Sequence, residues 1–568
     1  MKINKNIIYS CLFFLGLTSC KKDFLDRSTI QLPEEKVFGS EVLAQQYADN
    51  AYTFMINDYV RFDDHRGSTA QASDEAVSGR NENSVRTLTQ GVYFEHATTP
   101  ATNDIRDVYT NSYAGIRFTN VMLSKINQVP WVTPGLANRI AGEMHFLRAF
   151  FYFELIKRFG GVVLIDRPYG ENENIDLPRN TYQECLNFIL ADLDQADGLL
   201  PADYPIGMYG RATLGASKAL RSRALLFAAS KLNNPTNDLT KWQAAANAAK
   251  AVMDLNLYSL QATYSDILNV PQSTEYIMVK VRGPRAIANF RDGIMSPGSG
   301  GSVGQVNPTQ NHVDLYEMKA TGRPITDPAS GYDPTKPYTG RDPRLSFNVL
   351  YNGITWQSRQ MGMWTQTAAN GVVTYGADYR PNDPTYTATG YYSRKMWPEV
   401  YSGNTTNQAL LNYVYFRYAE ILLNYAEAQN EVNGPDASVL SAINQIRTRA
   451  EVNMPQLQIT NPTGPGYVAP NKDAMRERIR NERAVELAFE DFRWYDIMRW
   501  DNGTQIVAAP MYGMSVTKNP TTGAFTYTKT LLRNDLQKIY LDYMHLYPIP
   551  RTEINKSKGI LMQNPGWN

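Results

Sequence analysis

The sequence has few of the side chains that most often carry chemistry. It contains 3 cysteines and 5 histidines in 568 residues, with no CxxC pair and no two histidines at i, i+4 or HExxH spacing, so nothing supports a zinc site. It also has no phosphate-binding loop, no dinucleotide fingerprint and no DxDxDG calcium loop. The sequence therefore predicts neither a metal nor a cofactor.

Neither sign of charge is in excess, since 56 Lys and Arg face 55 Asp and Glu. Without a basic surplus, a nucleic-acid partner is not expected. No stretch reaches the roughly 18 consecutive apolar residues of a transmembrane helix. Tyrosine is abundant, with 36 copies; its ring packs while its hydroxyl stays in water, which suits a sugar or peptide surface and equally a half-buried helical core.

The first twenty residues predict export. Lys2 and Lys5 precede a short apolar run. The charged start and the apolar run together have the form of a signal peptide over residues 1–19. The run ends in Leu-Thr-Ser-Cys, which resembles a bacterial lipobox, so Cys20 is predicted to be the lipidated first residue of the mature chain. Residues 20–40 would then form a tether. Cys185 lies at an apolar helical position and is predicted to be a small core residue.

Residues 41–265 are predicted to be helical. The segment 141–161 has an apolar stripe of period 3.6 and ends at Gly160-Gly161, and Thr181 with Glu184 forms a capping-box pattern. Alanine-rich helices follow, joined by short turns. Helix hairpins of similar length indicate a tetratricopeptide-like superhelix, although the match to the strict repeat is loose.

The second half, residues 266–568, has a different composition. Residues 270–403 are rich in Gly, Pro, Ser, Thr and Asn and predict a large irregular region, with short strands near 275–281 and 345–351. Residues 409–500 are predicted to be helical, with one helix over 416–431, and 540–568 form an extended tail. The predicted class is mostly α with a few short strands.

Several motifs in order carry a family resemblance. FRYAEILLNYAEAQNE, AINQIRTRA, IRNERAVELAFEDFRWYDIMRW and YPIPRTEIN…QNPGW resemble the carboxyl half of the SusD/RagB family, and CKKDFLD and FLRAFFYFELIKRFGGVVLI resemble its amino half. The resemblance implies a lipoprotein on the outer face of the outer membrane that binds a glycan, or in some branches a peptide, without cleaving it. It also implies a SusC-like TonB-dependent transporter as the partner.

Two sets of glutamates invite a catalytic interpretation. Glu482, Glu486 and Glu490 lie on one helical face, and Glu420 and Glu427 are seven residues apart. We expect structural ion pairs in both sets: Glu420 and Glu427 with arginines of adjacent helices, and Glu482 with its near neighbours Arg478 and Arg483. Residues 300–304 match GxSxG but lack the strand and helix of a nucleophile elbow. No catalytic residue is predicted.

Aromatic and polar side chains on loops are the candidates for a glycan site, because sugar rings stack on Trp and Tyr. One loop region covers residues 61–96 and the other 285–400. The candidates are Trp364, Tyr375, Tyr391, Arg80, Asn81, Asn83 and Tyr93, with Trp364 as first choice; Asp74, Glu75, Trp356 and Tyr379 lie in the same regions. For Trp356 and Tyr391 the surrounding sequence favours a packing role over a ligand contact. A peptide binder on the same scaffold and a glycan-degrading lipoprotein remain alternatives.

Overall fold

The computed structural model describes residues 33–59, 67–79, 84–90, 106–170, 173, 176–280, 285–286, 304–395, 408–409 and 412–567. The helices are α1 (Glu34–Phe38), α2 (Glu41–Asn50), α3 (Ser84–Leu88), α4 (Arg106–Lys125), α5 (Leu136–Phe159), α6 (Tyr182–Leu199), α7 (Leu214–Ala229), α8 (Leu239–Met253), α9 (Gln310–Asp314), α10 (Arg344–Asn348), α11 (Tyr418–Asn433), α12 (Ala437–Arg447), α13 (Lys472–Glu486), α14 (Arg493–Trp500), α15 (Gly503–Ile506) and α16 (Arg551–Lys556). The strands are β1 (Ala76–Ser78), β2 (Tyr276–Lys280), β3 (Arg285–Ala286), β4 (Val306–Pro308), β5 (Val349–Leu350), β6 (Thr355–Trp356), β7 (Arg359–Gln360), β8 (Thr365–Thr367), β9 (Val373–Tyr375), β10 (Tyr392–Ser393), β11 (Gln408–Ala409), β12 (Tyr413–Arg417), β13 (Tyr512–Lys518) and β14 (Phe525–Leu531).

The long helices pack in sequence order into a superhelix. Helix α4 packs on α5, α5 on α6, α6 on α7 and α7 on α8, and α11 then joins the stack through α8 before packing on α12 and α13. Alanines such as Ala224, Ala245 and Ala249 are buried where α7 and α8 meet their neighbours, and their small side chains let the helices approach closely. The predicted mostly helical class is confirmed.

The helix ends follow the predicted signals. The Glu184 N–H donates to Thr181 Oγ1 at 3.2 Å, and the Thr181 N–H donates to Glu184 Oε2 at 2.7 Å, so the capping box at the start of α6 is confirmed. Helix α5 ends at Gly160, whose φ of 70° is in the left-handed region that glycine adopts without strain.

The helix predicted over residues 416–431 begins later than expected. Tyr413–Arg417 form strand β12, which pairs with β2, and α11 starts at Tyr418. The run YVYFR is aromatic and β-branched, and pairing it with YIMVK buries both strands between the two halves of the molecule. The strand predicted near 275–281 is confirmed, whereas the one near 345–351 is mostly helix α10, followed by the two residues of β5.

A four-stranded sheet with the order β14-β13-β8-β9 was not predicted. Strands β13 and β14 pair over seven residues, from Tyr512↔Leu531 to Lys518↔Phe525. The alternation in FTYTKTL and the turn residues around Gly523 are signals from which this hairpin could have been predicted.

Among the described residues, two large hydrophobic cores and three smaller clusters hold the fold together. The larger one fills the helical superhelix, and the free thiol of Cys185 is buried in it as predicted. The second lies under the irregular region and contains Tyr316, Trp356, Tyr391 and Tyr392. Among the described residues, no helix is both long and apolar enough to cross a membrane. The tail 540–568 is less extended than predicted, because it contains α16.

Candidate functional site

A short antiparallel ladder joins the two loop regions that the sequence offered as separate candidates. Strand β1 pairs with β4 from Ala76↔Pro308 to Ser78↔Val306, and the Gly79 N–H donates to the Gln305 carbonyl at 3.3 Å. Residue 79 comes just before the first loop's polar candidates, and strand β4 belongs to the second loop region. The fold therefore brings both regions to one place.

The segment before this ladder is anchored in the protein interior. Arg493 donates to both carboxylate oxygens of Asp74, at 2.8 and 2.9 Å, and the Phe489 N–H donates to Glu75 Oε1 at 2.8 Å. Lys538 Nζ donates to the carbonyls of Ser73 and Ala76. Asp74 and Glu75, which lie in the first candidate loop region, are 5% and 1% exposed, so they hold the base of the loop and are closed to a ligand.

Burial shapes the protonation of these anchors. It raises the pKa of Glu75 to about 8, against the hydrogen bond from Phe489, and it lowers the pKa of Lys538 to about 7, against the attraction of Asp74 and Glu75. Burial also raises the pKa of Asp74, but the charge and hydrogen bonds of Arg493, together with the charges of His312 and Lys538, outweigh burial and leave the pKa lowered. The base of the loop is thus a compact polar cluster with a titratable acid.

Half-exposed side chains line the surface next to Gly79. A β-carbon on Gly79 would lie 3.5 Å from the Tyr386 carbonyl oxygen, so the loop after β9 adjoins the ladder. In this loop the Arg380 guanidinium carbon lies 5.9 Å from the ring centroid of Tyr375 and 5.5 Å from that of Tyr386. Tyr379 meets Tyr375 edge to face, with ring centroids 6.4 Å apart. We call Tyr375, Tyr379, Arg380 and Tyr386 the tyrosine–arginine surface.

Hydrogen bonds at the partly buried base of the loop fix the segment that carries this surface. Arg359 binds Asp378 through two nitrogens, at 2.7 and 2.6 Å, and the Gly362 N–H donates to the same carboxylate at 2.8 Å. A β-carbon at Gly376 would lie 2.2 Å from the Gly362 carbonyl oxygen, so only glycine permits this close approach. Arg380 Nη1 donates to the carbonyls of Gly376 and Tyr379, both at 2.7 Å. The rings are therefore held in position before any ligand arrives.

Strand register separates Trp364 from Tyr375. Tyr375 pairs directly with Thr365, so these two side chains share one face of the sheet, and the neighbouring Trp364 is expected to lie on the other face. Trp364 packs against the second core, and Lys518 Nζ lies 4.6 Å from the centroid of its ring. Trp364, the first choice from the sequence, does not lie on the tyrosine–arginine surface.

Tyr391 is 0% exposed, so the prediction that it stacks on a ligand is wrong. Its hydroxyl donates to Gln310 Oε1 at 2.5 Å and accepts from Tyr338 at 3.2 Å, and both contacts hold the second core together. Trp356, at 2% exposure, is also a packing residue, as the sequence favoured.

Several predicted positions lie outside the described residues. These are the lipidation candidate Cys20, the loop candidates Arg80, Asn81, Asn83 and Tyr93, and most of the GxSxG match at 300–304. Among the residues that the structure does describe, no group of His, Cys, Asp and Glu side chains is arranged to hold a metal ion.

The glutamates that invited a catalytic interpretation are buried in a network of ion pairs. Glu486 is 0% exposed and contacts three arginines: Arg344 at 3.0 Å, Arg417 at 2.8 Å and Arg449 at 3.0 Å. Continuous ion pairs connect six carboxylates with six cations, namely Glu275, Glu317, Asp342, Glu482, Glu486 and Glu490 with Arg344, Lys395, Arg417, Arg447, Arg449 and Arg478. The network is electrically balanced and closed to solvent.

The expectation of ion pairs is confirmed in kind, although two partners differ. Glu420 pairs with Arg223 at 2.6 Å and Glu427 with Arg499 at 2.6 Å, both across helices as expected. Glu482 pairs with Arg344 and Arg447, and not with its helical neighbours. Arg478 instead contacts Glu317 at 2.7 Å, and Arg483 contacts Asp496 at 2.6 Å. Sequence spacing predicted pairs within one helix, but the buried arginines pair with carboxylates from other parts of the chain.

Sequence models of known families match most of the chain. Residues 262–567 match the model described as the SusD family, and residues 23–226 match one described as starch-binding and associating with the outer membrane. The first match covers more than half of the chain.

The chain belongs to the SusD family.

Relatives agree along nearly the whole length. SusD-like protein P2 of Formosa agariphila is 24% identical over 506 residues, which cover 88% of this chain and 86% of that protein. A solved SusD-like protein of Bacteroides fragilis matches with a TM-score of 0.72 at 27% identity, covering 94% of this chain and 98% of that one. A SusD-like carbohydrate-binding protein of the same organism has a TM-score of 0.72 at 23% identity over 93% and 99% of the two chains. The tetratricopeptide-like SusD architecture is thereby confirmed.

A laminarin-binding SusD-like protein matches with a TM-score of 0.63 at 20% identity, over 93% of this chain and 100% of that one. At this identity the likeness supports the fold.

In this SusD-family chain the sequence pointed to Tyr375 and Tyr379 but missed Arg380 and Tyr386. The spacing Tyr-x₃-Tyr-Arg in a loop rich in Pro, Asn and Asp was the available signal.

Proposed function

We propose that the protein is a lipoprotein on the outer face of the outer membrane. It binds an oligosaccharide or polysaccharide at the tyrosine–arginine surface and delivers it to a SusC-like TonB-dependent transporter, without catalysis. The observation that carries the proposal is the cluster of three half-exposed tyrosines around Arg380, next to the ladder where both candidate loop regions meet, in a SusD-family chain.

The chemistry of this surface suits a sugar chain. Tyrosine rings offer apolar faces for the CH groups of sugar rings, and their hydroxyls and the remaining guanidinium N–H groups can reach sugar hydroxyls. Fixed side chains lose little entropy when a ligand binds. The structurally similar proteins include a carbohydrate-binding and a laminarin-binding SusD-like protein, which supports a glycan ligand over a peptide.

The burial of the glutamates that invited a catalytic interpretation supports a function without catalysis. Glycoside hydrolysis needs two carboxylates that reach the scissile bond from opposite sides. Glu482, Glu486 and Glu490 are at most 4% exposed and are held by arginines or Lys395, so a substrate cannot reach them.

Membrane location and the partner rest on the resemblance and on the amino-terminal sequence. A predicted signal peptide over residues 1–19, directly followed by Cys20, supports lipid attachment, and the match to a family model described as associating with the outer membrane supports the location. The transporter is the partner that the SusD/RagB resemblance implies. Retention of a TonB-dependent transporter when the tagged full-length protein is purified from detergent-solubilised outer membranes tests this; recovery of none contradicts it.

The binding experiment uses the full-length protein in detergent and affinity gels that contain laminarin, starch or other neutral polysaccharides. Replacing Tyr375 and Arg380 together by Ala should weaken binding about tenfold or more, by analogy with aromatic stacking on bases. Arg167 and Tyr169 are the matched control, because they form the same guanidinium–tyrosine contact, at 4.1 Å, elsewhere in the chain.

Three results would contradict the proposal. Equal loss of binding in the control pair would show that the tyrosine–arginine surface has no special role. Release of reducing ends from the polysaccharide would establish the glycan-degrading alternative. Binding to members of a peptide library, with no retention by any polysaccharide, would establish the peptide-binding alternative.

A further inference from the structure

A concave feature of the protein lies outside the residues of the tyrosine–arginine surface. It is a cleft of about 590 Å³ formed by the connection between α6 and α7, the connection between α8 and β2, and strand β2 itself. The cleft and the tyrosine–arginine surface share no residue. Its volume is within the range of about 300–1,000 Å³ that is usual for small-molecule sites.

The cleft lies at the boundary between the two cores. Ile277 and Met278 of β2 belong to the helical core, whereas Tyr276 and Val279 belong to the second core. Binding sites are often found at such boundaries between packed units. The floor of the cleft is therefore a buried strand, and its walls are loops from the helical half.

Aromatic rings stand around this floor in fixed positions. The hydroxyl of Tyr204 donates to Glu143 at 3.1 Å, and that of buried Tyr276 donates to the Ile267 carbonyl at 2.5 Å. Tyr209 and Tyr258 are half-buried, and each packs against one of the two cores. These two rings contribute apolar faces to the lining of the cleft.

The lip of the cleft is apolar and exposed. Ile206 is 78% exposed and Leu257 is 46% exposed, although both are large aliphatic side chains. Ile206 belongs to the connection between α6 and α7, and Leu257 to the connection between α8 and β2. Such exposed apolar side chains at the rim of a cleft are where the CH faces of a sugar ring would be covered.

Two of the side chains that line the cleft are charged, Asp203 and Arg211, and its other polar groups are neutral. Gln272, Ser273 and Thr274 contribute an amide and hydroxyls, and Asp203 contributes an exposed carboxylate. The cation among the lining residues, Arg211, is neutralised by Glu143 at 2.7 Å and Asp49 at 2.5 Å. With no free positive charge among these residues, the cleft disfavours uronates, sulfated sugars and other anions.

We propose that this cleft is a second carbohydrate site, which takes a neutral oligosaccharide of about two or three rings. The aromatic faces, the aliphatic lip, the hydroxyl and amide groups and the neutralised arginine together fit that class of ligand. The choice of a sugar over other neutral ligands rests on the proposed function. The location rests on the cleft alone.

The test adds neutral trisaccharides (laminaritriose, maltotriose and cellotriose) to the full-length protein and measures hydroxyl-radical labelling of residues 202–213 and 254–279. At millimolar concentration, at least one trisaccharide should reduce labelling of Tyr209 and Leu257. Tyr209→Ala should weaken this protection about tenfold. Leu257→Arg should also weaken it, and as a change at an exposed position it leaves the fold intact. Tyr169→Ala is the matched control and should have no effect.

Tyr375→Ala separates the two proposals. If it abolishes polysaccharide retention while trisaccharide protection of the cleft persists, both proposals stand as independent sites. If it abolishes every trisaccharide response, the cleft proposal is overturned and the tyrosine–arginine surface remains. If polysaccharide retention is unaffected by Tyr375→Ala but the cleft is protected, the proposed primary site is overturned and the cleft remains. No change in labelling with any trisaccharide, or protection by peptides alone, overturns the cleft proposal.

Discussion

Replacing Glu486 by Gln should destabilise the whole fold. Glu486 is fully buried, and burial alone would raise its pKa, but the charges of Arg449, Arg417 and Arg344 outweigh burial and hold the pKa below the ordinary value. Glutamine keeps the shape and removes the charge. It leaves the balanced network of six carboxylates and six cations with one uncompensated buried cation.

The expected magnitude follows from that imbalance. Removing one partner of a buried ion pair costs about 3–5 kcal/mol, and three arginines lose their shared anion here, so we expect a loss near the upper end of that range. A typical domain has about 5–15 kcal/mol of total stability, so the loss is a large fraction of it. Urea unfolding followed by tryptophan fluorescence measures the change in the free energy of unfolding.

Two variants sharpen the experiment. Glu477→Gln is the control, because Glu477 lies on the same helix, is paired with Arg480 at 3.4 Å and has a 71% exposed side chain; its unfolding midpoint should not move. Glu486→Gln combined with Arg449→Met restores charge balance and should recover about half of the loss. If Glu486→Gln behaves like Glu477→Gln, the network does not stabilise the fold and the reasoning is refuted.

Three further outcomes are expected. The pKa of Glu75 is raised to about 8 from 4.5, so between these two pH values the folded protein binds more protons than the unfolded chain, and the free energy of unfolding falls as pH rises. Glu75→Gln should remove up to about 1.4 kcal/mol per pH unit of this decrease. Urea unfolding of the variant and the wild type at pH 5 and pH 7.5 measures the difference. Cys20→Ala should abolish incorporation of labelled palmitate and release the protein from the membrane fraction, and unchanged labelling would rule out Cys20 as the anchor. Trp364→Ala should lower stability by about 2 kcal/mol through lost packing with less than about a threefold effect on glycan retention; a tenfold weakening at unchanged stability would return Trp364 to the binding surface.

The helical half of the fold was predictable from local sequence patterns. The stripe in α5, its end at Gly160 and the Thr181–Glu184 box depend on neighbours within one or two turns, so spacing was enough to place them. The same local reasoning failed at Tyr413–Arg417, where a strand partner far away in the sequence, β2, decided the conformation.

The candidate site was predictable only in part, because exposure is a property of the packed molecule. Tyr375 and Tyr391 are both tyrosines in a loop-rich region, yet one is half-exposed beside Arg380 and the other is sealed under Tyr338 and Gln310. Asp74 and Glu75 likewise lie in a predicted loop, but in the structure Arg493 binds Asp74 and the Phe489 N–H donates to Glu75. Sequence spacing contains no information about contacts such as Asp74–Arg493, whose partners are 419 residues apart.

The sequence by itself determined the family, the helical stack, the buried thiol of Cys185 and the structural character of the glutamates, because each depends on short-range patterns or on an ordered set of motifs. Only the tertiary structure decided which arginine neutralises which glutamate, which tyrosines remain open to a ligand, and that two loop regions meet at the β1–β4 ladder. These outcomes depend on long-range packing, in which each buried charge must find a partner and each ring is either covered or left exposed by elements distant in the chain.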